Sequence, residues 1–355
     1  MRVPHSITIF SLVTLSALII AIMLASSNNV KDTLEVKGAL LPGLKNKIST
    51  VTEVDVYIKD KSLSIKLDGG KWVIAAKYNY PVDLSKLRDV MSSLPEIEKM
   101  EAKTSDPTNF VKLAVENPDK NANSVRYALR DKDNKIIADI VIGKPSKNNN
   151  SSDDNMVFYA REFSSNQVWQ VKGPLAIDNY YESWVHSNVF AIKYDRIKQV
   201  SVTYNKDKDG GYLIYKDQGA NMKFQFFDKK GNIVAKSEAQ MESIAGALSI
   251  IKLIDVTQDS KVNFPADNTF IDVFETYDGL KVTVKSADIK DNDPVTKNKK
   301  YQKKLITYQA EALNNNKDIK DEVDHINKQA SGWAFVAFGE NLNYLSMTAK
   351  DLSEK

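Results

Sequence analysis

From Val54 onward, apolar and polar residues alternate with a period of two. Val54, Val56 and Ile58 stand against Asp55 and Tyr57, Lys59-Asp60-Lys61 turns the chain, and Leu63, Ile65 and Leu67 resume the alternation. Asp68-Gly69-Gly70 turns it again before 71–75, which carries Trp72 and Ile74. Successive strand side chains point to opposite faces, so the pattern predicts a three-stranded meander with one buried face. At Pro81 the spacing becomes helical: Leu84, Leu87, Met91 and Leu94 share a face, and Pro95 stops the helix. Asp106-Pro107 pairs a capping residue with proline at the first helical position and predicts a short helix through Phe110 and Leu113. Residues 124–130 and 135–142 predict a hairpin, 144–154 a polar loop, and 157–160 with 168–171 another strand pair.

The pattern then repeats. A connector, 173–186, carries Tyr180, Tyr181 and Trp184 and reads as helical, packed on both halves. Val200, Val202 and Tyr204 alternate, Asp209-Gly210-Gly211 turns, and 212–215 and 222–227 read as strands. A helix with Met241, Ile244, Ala245, Leu248 and Ile251 on one face follows, then a hairpin of 271–276 and 280–286 across Asp278-Gly279. Val54 lies 146 positions before Val200, Val125 lies 146 before Ile271, and Ile136 lies 145 before Lys281. Offsets that agree to within one residue between like elements predict an internal duplication. The second half ends differently: a strand at 305–310, a polar helix near 318–330, then Gly332-Trp333-Ala334-Phe335-Val336, which matches Val168-Trp169-Gln170-Val171.

Ahead of this lies a run of another kind. Ile7 to Ala25 contains no charge, proline or glycine. As a helix of about 1.5 Å per residue it would extend roughly 28 Å, against a hydrocarbon core of about 30 Å. Arg2 and His5 precede it and no acid does, which by the positive-inside rule places the amino end in the cytoplasm and the rest of the chain on the far side of the membrane. Ala25-Ser26-Ser27 offers the alternative of a cleaved signal peptide. The chain therefore divides into a cytoplasmic tip and anchor (1–30), a stalk (31–52), a first unit (53–172), the connector (173–196), a second unit (197–340) and a C-terminal tail (341–355). The fold class is α+β: one transmembrane helix followed by two related antiparallel-sheet-plus-helix units. Leu40-Leu41-Pro42-Gly43-Leu44 in the stalk is an apolar clip expected to pack on the first unit.

Composition narrows the function. The 355 residues carry a formal charge of +3, too balanced for nucleic acid as the main partner. Cysteine is absent, which removes disulfides, thiolate metal sites, cysteine nucleophiles and a lipoprotein anchor.

Several stretches together resemble a bacterial family of exported proteins, the domain-of-unknown-function family 4340. They are the membrane segment followed by LeuLeuProGlyLeu at 40–44, AspGlyGlyLysTrp at 68–72, Ser105-Asp106-Pro107, IleValIleGlyLys at 140–144, ValPheTyrAlaArg at 157–161, ValTrpGlnVal at 168–171, and Glu182-Ser183-Trp184 before Val189-Phe190. These are turns and core strands. Members of that family are often encoded beside gliding-motility-type ABC transporter components, so the resemblance implies an accessory role at a transporter and names no active residue. It is weakest from Asp288 onward.

No catalytic signature stands out. His5, His186 and His325 are far apart in sequence. Ser249-Ile250-Ile251-Lys252 has Ser-x-x-Lys spacing, but late in an amphipathic helix and without a companion Lys-Thr-Gly. Asp288, Asp291 and Asp293 lack the glycine and distal glutamate of a calcium loop and read as a solvated turn. Lys297, Lys299, Lys300, Lys303 and Lys304 read as an edge strand guarded by lysines, or else as a contact for anionic lipid. Trp72 and Trp169 read as core packing rather than sugar platforms. The expectation is a non-enzymatic, membrane-anchored periplasmic accessory without catalytic, cofactor or metal residues. It would be held in the membrane by residues 7–25 and bind a membrane protein such as an ABC-type transport or motility assembly. The alternative is a glycan- or lipid-binding module with a groove between the halves.

Overall fold

The computed structural model describes residues 38–146, 156–174, 180–185, 191–206, 211–219, 222–289 and 302–352. The apolar run at 7–25 lies outside them, and among the described residues no helix is long and apolar enough to cross a membrane.

Nine strands form the first sheet: β1 (Val51–Ile58), β2 (Lys61–Asp68), β3 (Lys71–Ile74), β4 (Tyr80–Pro81), β5 (Glu98–Thr104), β6 (Val125–Asp131), β7 (Ile136–Pro145), β8 (Met156–Glu162) and β9 (Val168–Gly173). Nine more form the second: β10 (Ile197–Tyr204), β11 (Tyr212–Tyr215), β12 (Gln225–Asp228), β13 (Ile233–Val234), β14 (Lys252–Gln258), β15 (Thr269–Thr276), β16 (Leu280–Asp288), β17 (Gln302–Ala312) and β18 (Trp333–Gly339). The orders are β4-β3-β2-β1-β6-β7-β8-β9-β5 and β13-β12-β11-β10-β15-β16-β17-β18-β14, one topology used twice, with every described ladder antiparallel. Even an irregularity recurs: the β1–β6 register shifts between Val51 and Glu53, and the β10–β15 register shifts between Ile197 and Gln199.

One helix in each half fills a matching place and the others do not. α1 (Leu44–Lys47) belongs to the stalk, where Leu40, Leu41 and Leu44 are buried in the core. α2 (Leu84–Ser93) lies between β4 and β5, α3 (Phe110–Leu113) between β5 and β6, α4 (Glu238–Ala245) between β13 and β14, and α5 (Lys317–Ala330) between β17 and β18. Asp83 caps α2, accepting from Ser85 N at 3.0 Å, and Asp106 accepts from Thr108 N at 2.9 Å ahead of α3. One continuous apolar cluster runs through both sheets. At their junction, where the alternative glycan- or lipid-binding reading placed a groove, Tyr80 packs its ring 5.0 Å from Trp333 and 5.9 Å from Phe335. Lys77 pairs there with Asp255 at 2.5 Å.

Several expectations are corrected. Ladder register matches Val125 with Phe270, not Ile271, an offset of 145. A one-residue slip exchanges the two faces of a strand, and both Val125 and Phe270 are buried. α2 buries Leu87 and Val90, followed by Leu94, while Leu84 is exposed. Met222 is exposed and its strand begins only at Gln225. The edge strands β5 and β14 give little apolar alternation and were not anticipated. The β5 edge is covered by the stalk, with Leu40 N donating to Ile97 O at 2.8 Å. In the connector, Tyr181–Trp184 is a single 3-10 turn. The residues after 340, read above as a tail, bury Leu342, Leu345 and Leu352. β17 is an interior strand between β16 and β18, so its lysines guard no edge. Lys304 is fully buried and bonds to Asp288 and to Ser346 Oγ, while 297–300 lie outside the described residues.

Candidate functional site

Among the described residues the candidates do not converge. His5 and His186 lie outside the described residues, and His325 sits on α5 with Nε2 3.3 Å from Gln329 Nε2. α4 ends at Ala245, so Ser249 and Lys252 share no helix: Lys252 opens β14, and Ser249 Oγ donates to Gly246 O at 2.6 Å. Asp288 engages Lys304, and Asp291 and Asp293 lie outside the described residues. Among the described residues no cluster of His, Cys, Asp and Glu could hold a metal. Trp184 is wholly buried, with Lys86 Nζ 4.6 Å from its ring centroid.

The informative site is a pair of equivalent sheet faces. On the outer face of the first sheet, Arg126 Nε donates to Asp139 Oδ1 and its Nη2 to Asp139 Oδ2, both at 2.7 Å, a bidentate pair. The Phe163 ring centroid lies 3.3 Å from that guanidinium. Beside them Arg161, 2 % exposed, points into the connection between β5 and β6. Its Nε donates to Val115 O at 2.9 Å and its Nη1 to Phe163 O at 3.0 Å and Ser165 O at 3.2 Å. Its Nη2 donates to Asn117 Oδ1 at 2.5 Å, and Phe110 lies 4.7 Å from its guanidinium. Burial, and then the charge on Arg126, pull the Arg161 pKa below its usual value. Phe110 and Val115 of this connection join Val141 and Val168 in a second apolar cluster. The plug comes very close to the sheet: a Cβ at Gly143 would stand 2.5 Å from Leu113 O, so only glycine fits.

The same positions in the second sheet are read through the ladders. Arg126 and Val141 pair as Ile271 and Lys285 do, Asp139 falls opposite Ala128 as Thr283 does opposite Val273, and Arg161 faces Val141 as Thr307 faces Lys285. Phe163 therefore corresponds to Gln309. Ile271, Thr283, Lys285, Thr307 and Gln309 form the floor of a cleft of about 970 Å³. Its walls come from the connection after β14, with Asp259, Val262 and Phe264, and from Asn327 and Ala330 at the end of α5 with Gly332 just beyond it. That connection spans 259–268, half the length of 105–124 in the first sheet. Lys285 Nζ lies 4.4 Å from the Phe264 ring, and Glu311 at the rim pairs with Lys281 at 3.1 Å. Asn327 fixes the α5 wall: its Oδ1 accepts from Ala310 N and its Nδ2 donates to Ala310 O, both at 2.8 Å. The helix thereby satisfies a stretch of β17 that β18 does not reach. None of these residues carries a sequence signature. The available signal was the shortened connection, with a threonine where the first copy has Arg161.

The inner faces differ as well. Tyr127 and Phe158 of the first core correspond to Asp272 and Lys304 of the second. Asp272 is 1 % exposed, neither carboxylate oxygen has a hydrogen-bond partner, and burial pushes its pKa up to about 8 against the lowering effect of Lys304. Ile142 corresponds to Ser286, whose Oγ donates to Leu345 O at 2.9 Å. Polar groups thus meet the closing segment of the second half, whereas Trp184 covers Tyr127 in the first, with ring centroids 6.5 Å apart.

These observations define a class: a duplicated antiparallel-sheet protein with one sealed outer face, one open outer face, and no assembled catalytic group among the described residues. The family described as domain of unknown function DUF4340 matches residues 72–270, more than half the chain, and the chain belongs to that family. The match begins in β3 and ends in β15, so it crosses both copies of the repeat. No curated protein and no solved structure matches the chain significantly.

Proposed function

We propose that this protein is a non-enzymatic accessory of an envelope assembly. The run at 7–25 anchors it in the inner membrane, its amino end is cytoplasmic, and both sheets stand in the periplasm. Its partner is a membrane transport complex of the ABC type. The observation that carries this reading is the pairing of a duplicated scaffold, which assembles no catalytic group among the described residues, with one sheet face left open as a polar cleft. An enzyme needs a nucleophile, an acid–base pair or a metal held in mutual reach, whereas a binding protein needs a shaped surface on a rigid support.

Two measurements on the full-length chain test it. A reporter fused at the carboxyl end should be active in the periplasm, and mild solubilisation should recover the protein with transporter subunits. Reporter activity confined to the cytosol, or recovery of free protein alone from the membrane, overturns it.

A further inference from the structure

The first half displays what its outer sheet face accommodates: a stretch of polypeptide. Residues 105–124 lie across that face with Phe110 and Val115 against Val141 and Val168, and Arg161 donates to Val115 O. In the second half the backbone beneath is the same, but the covering connection is half as long and the floor is Thr283, Lys285, Thr307 and Gln309.

We infer that the second cleft is a docking groove for a short polypeptide segment of a partner protein, which covers the β15–β17 floor as residues 105–124 cover the first sheet. This rests on the accessory reading for having a partner at all, and adds the partner's chemical class. Hydroxyl and amide side chains on the floor can both donate and accept, which suits a backbone that presents N–H and C=O groups in alternation. Aliphatic Ile271 offers an apolar contact for one side chain of the visitor. The charges do not suit a phosphate-bearing ligand: Asp259 and Glu311 stand at the walls beside a single floor lysine, Lys285. A floor of threonine and glutamine does not suit an acyl chain.

The test uses the full-length protein in its native membrane, with a photoreactive benzophenone side chain replacing Thr307, or Gln309 in a second variant, and Ile136 of the first half as control. Ile136 is 49 % exposed. The expected result is a cross-link from 307 and 309, absent at 136, that digests to one continuous segment of one other protein. A synthetic peptide of that segment should lower the yield at least tenfold. A Thr283→Trp change combined with the probe at 309 should do the same without changing the melting midpoint by more than a few degrees. Adducts confined to this chain, to a second copy, to a saccharide or to lipid overturn the inference, as does the lack of any adduct at both probes. The outcomes separate the two readings. A transporter complex that persists while 307 and 309 capture nothing removes only the groove. A cytosolic reporter with mapped cleft adducts removes only the envelope placement.

Discussion

The two halves share their strand order, their pairing and a bulge, yet they treat a sheet face in opposite ways. In the first, Arg161 is driven into the connection between β5 and β6 and donates to Val115 O there and to Phe163 O and Ser165 O in the turn after β8. In the second, Thr307 occupies that register position and, among the described residues, the face stays open. The inner faces diverge in parallel: Tyr127 and Phe158 build an apolar core, while Asp272 and Lys304 put a carboxyl and an ammonium into the matching one. The lesson is that ladder hydrogen bonds fix a backbone without reference to side chains, so a duplicated sheet can retain its pairing while each face acquires a separate role.

The strongest way to sharpen this comparison is to titrate it. Asp272 is protonated in the folded state up to about pH 8, whereas an unfolded aspartate ionises near pH 3.9. Its folded pKa is the raised one, so the stability it contributes is complete below about pH 4 and is lost as pH rises through about 8. Asp272→Asn removes that slope. Denaturant unfolding of the wild type should fall relative to the variant by about 1.4 kcal/mol per pH unit across this window. Parallel curves for the two proteins would show that Asp272 is ionised in the fold.

A second comparison sets Arg161→Met against Thr307→Val. The first strips donors from buried carbonyls and should cost about 3 kcal/mol; the second touches an open floor and should cost less than about 0.5 kcal/mol. Equal costs, read from denaturant midpoints, would mean the two faces are covered alike. The smallest effect is expected at the junction. Lys77→Ala breaks a partly exposed pair with Asp255 and should change stability by about 0.5 kcal/mol, less at high salt. A larger loss that shrinks as salt is added would show that the halves are held by charge rather than by the Tyr80 contact.

Much of the repeat was legible because period-two alternation survives wherever one strand face is buried. β1, β2 and β10 read clearly for that reason. β5, Glu-Lys-Met-Glu-Ala-Lys-Thr, did not, since an edge strand buries too little to impose a pattern. The lysine run misled for a related reason. A lysine with partners can be interior, and the partners of Lys304 lie at 288 and 346, distances along the chain that no local pattern reports. The cleft was legible only in the shortened connection: Thr283, Thr307 and Gln309 are ordinary outward strand residues until the cover above their counterparts in the first half is known.

The sequence by itself determined the family, the two-fold repeat and the core positions of the central strands, because each is written in local order and spacing. Only the tertiary structure decided which outer face is sealed and which is open, and that Asp272 and Lys304 are interior. Both outcomes depend on groups far apart in the chain being brought within hydrogen-bond range, and on the length of a connection measured against the sheet beneath it.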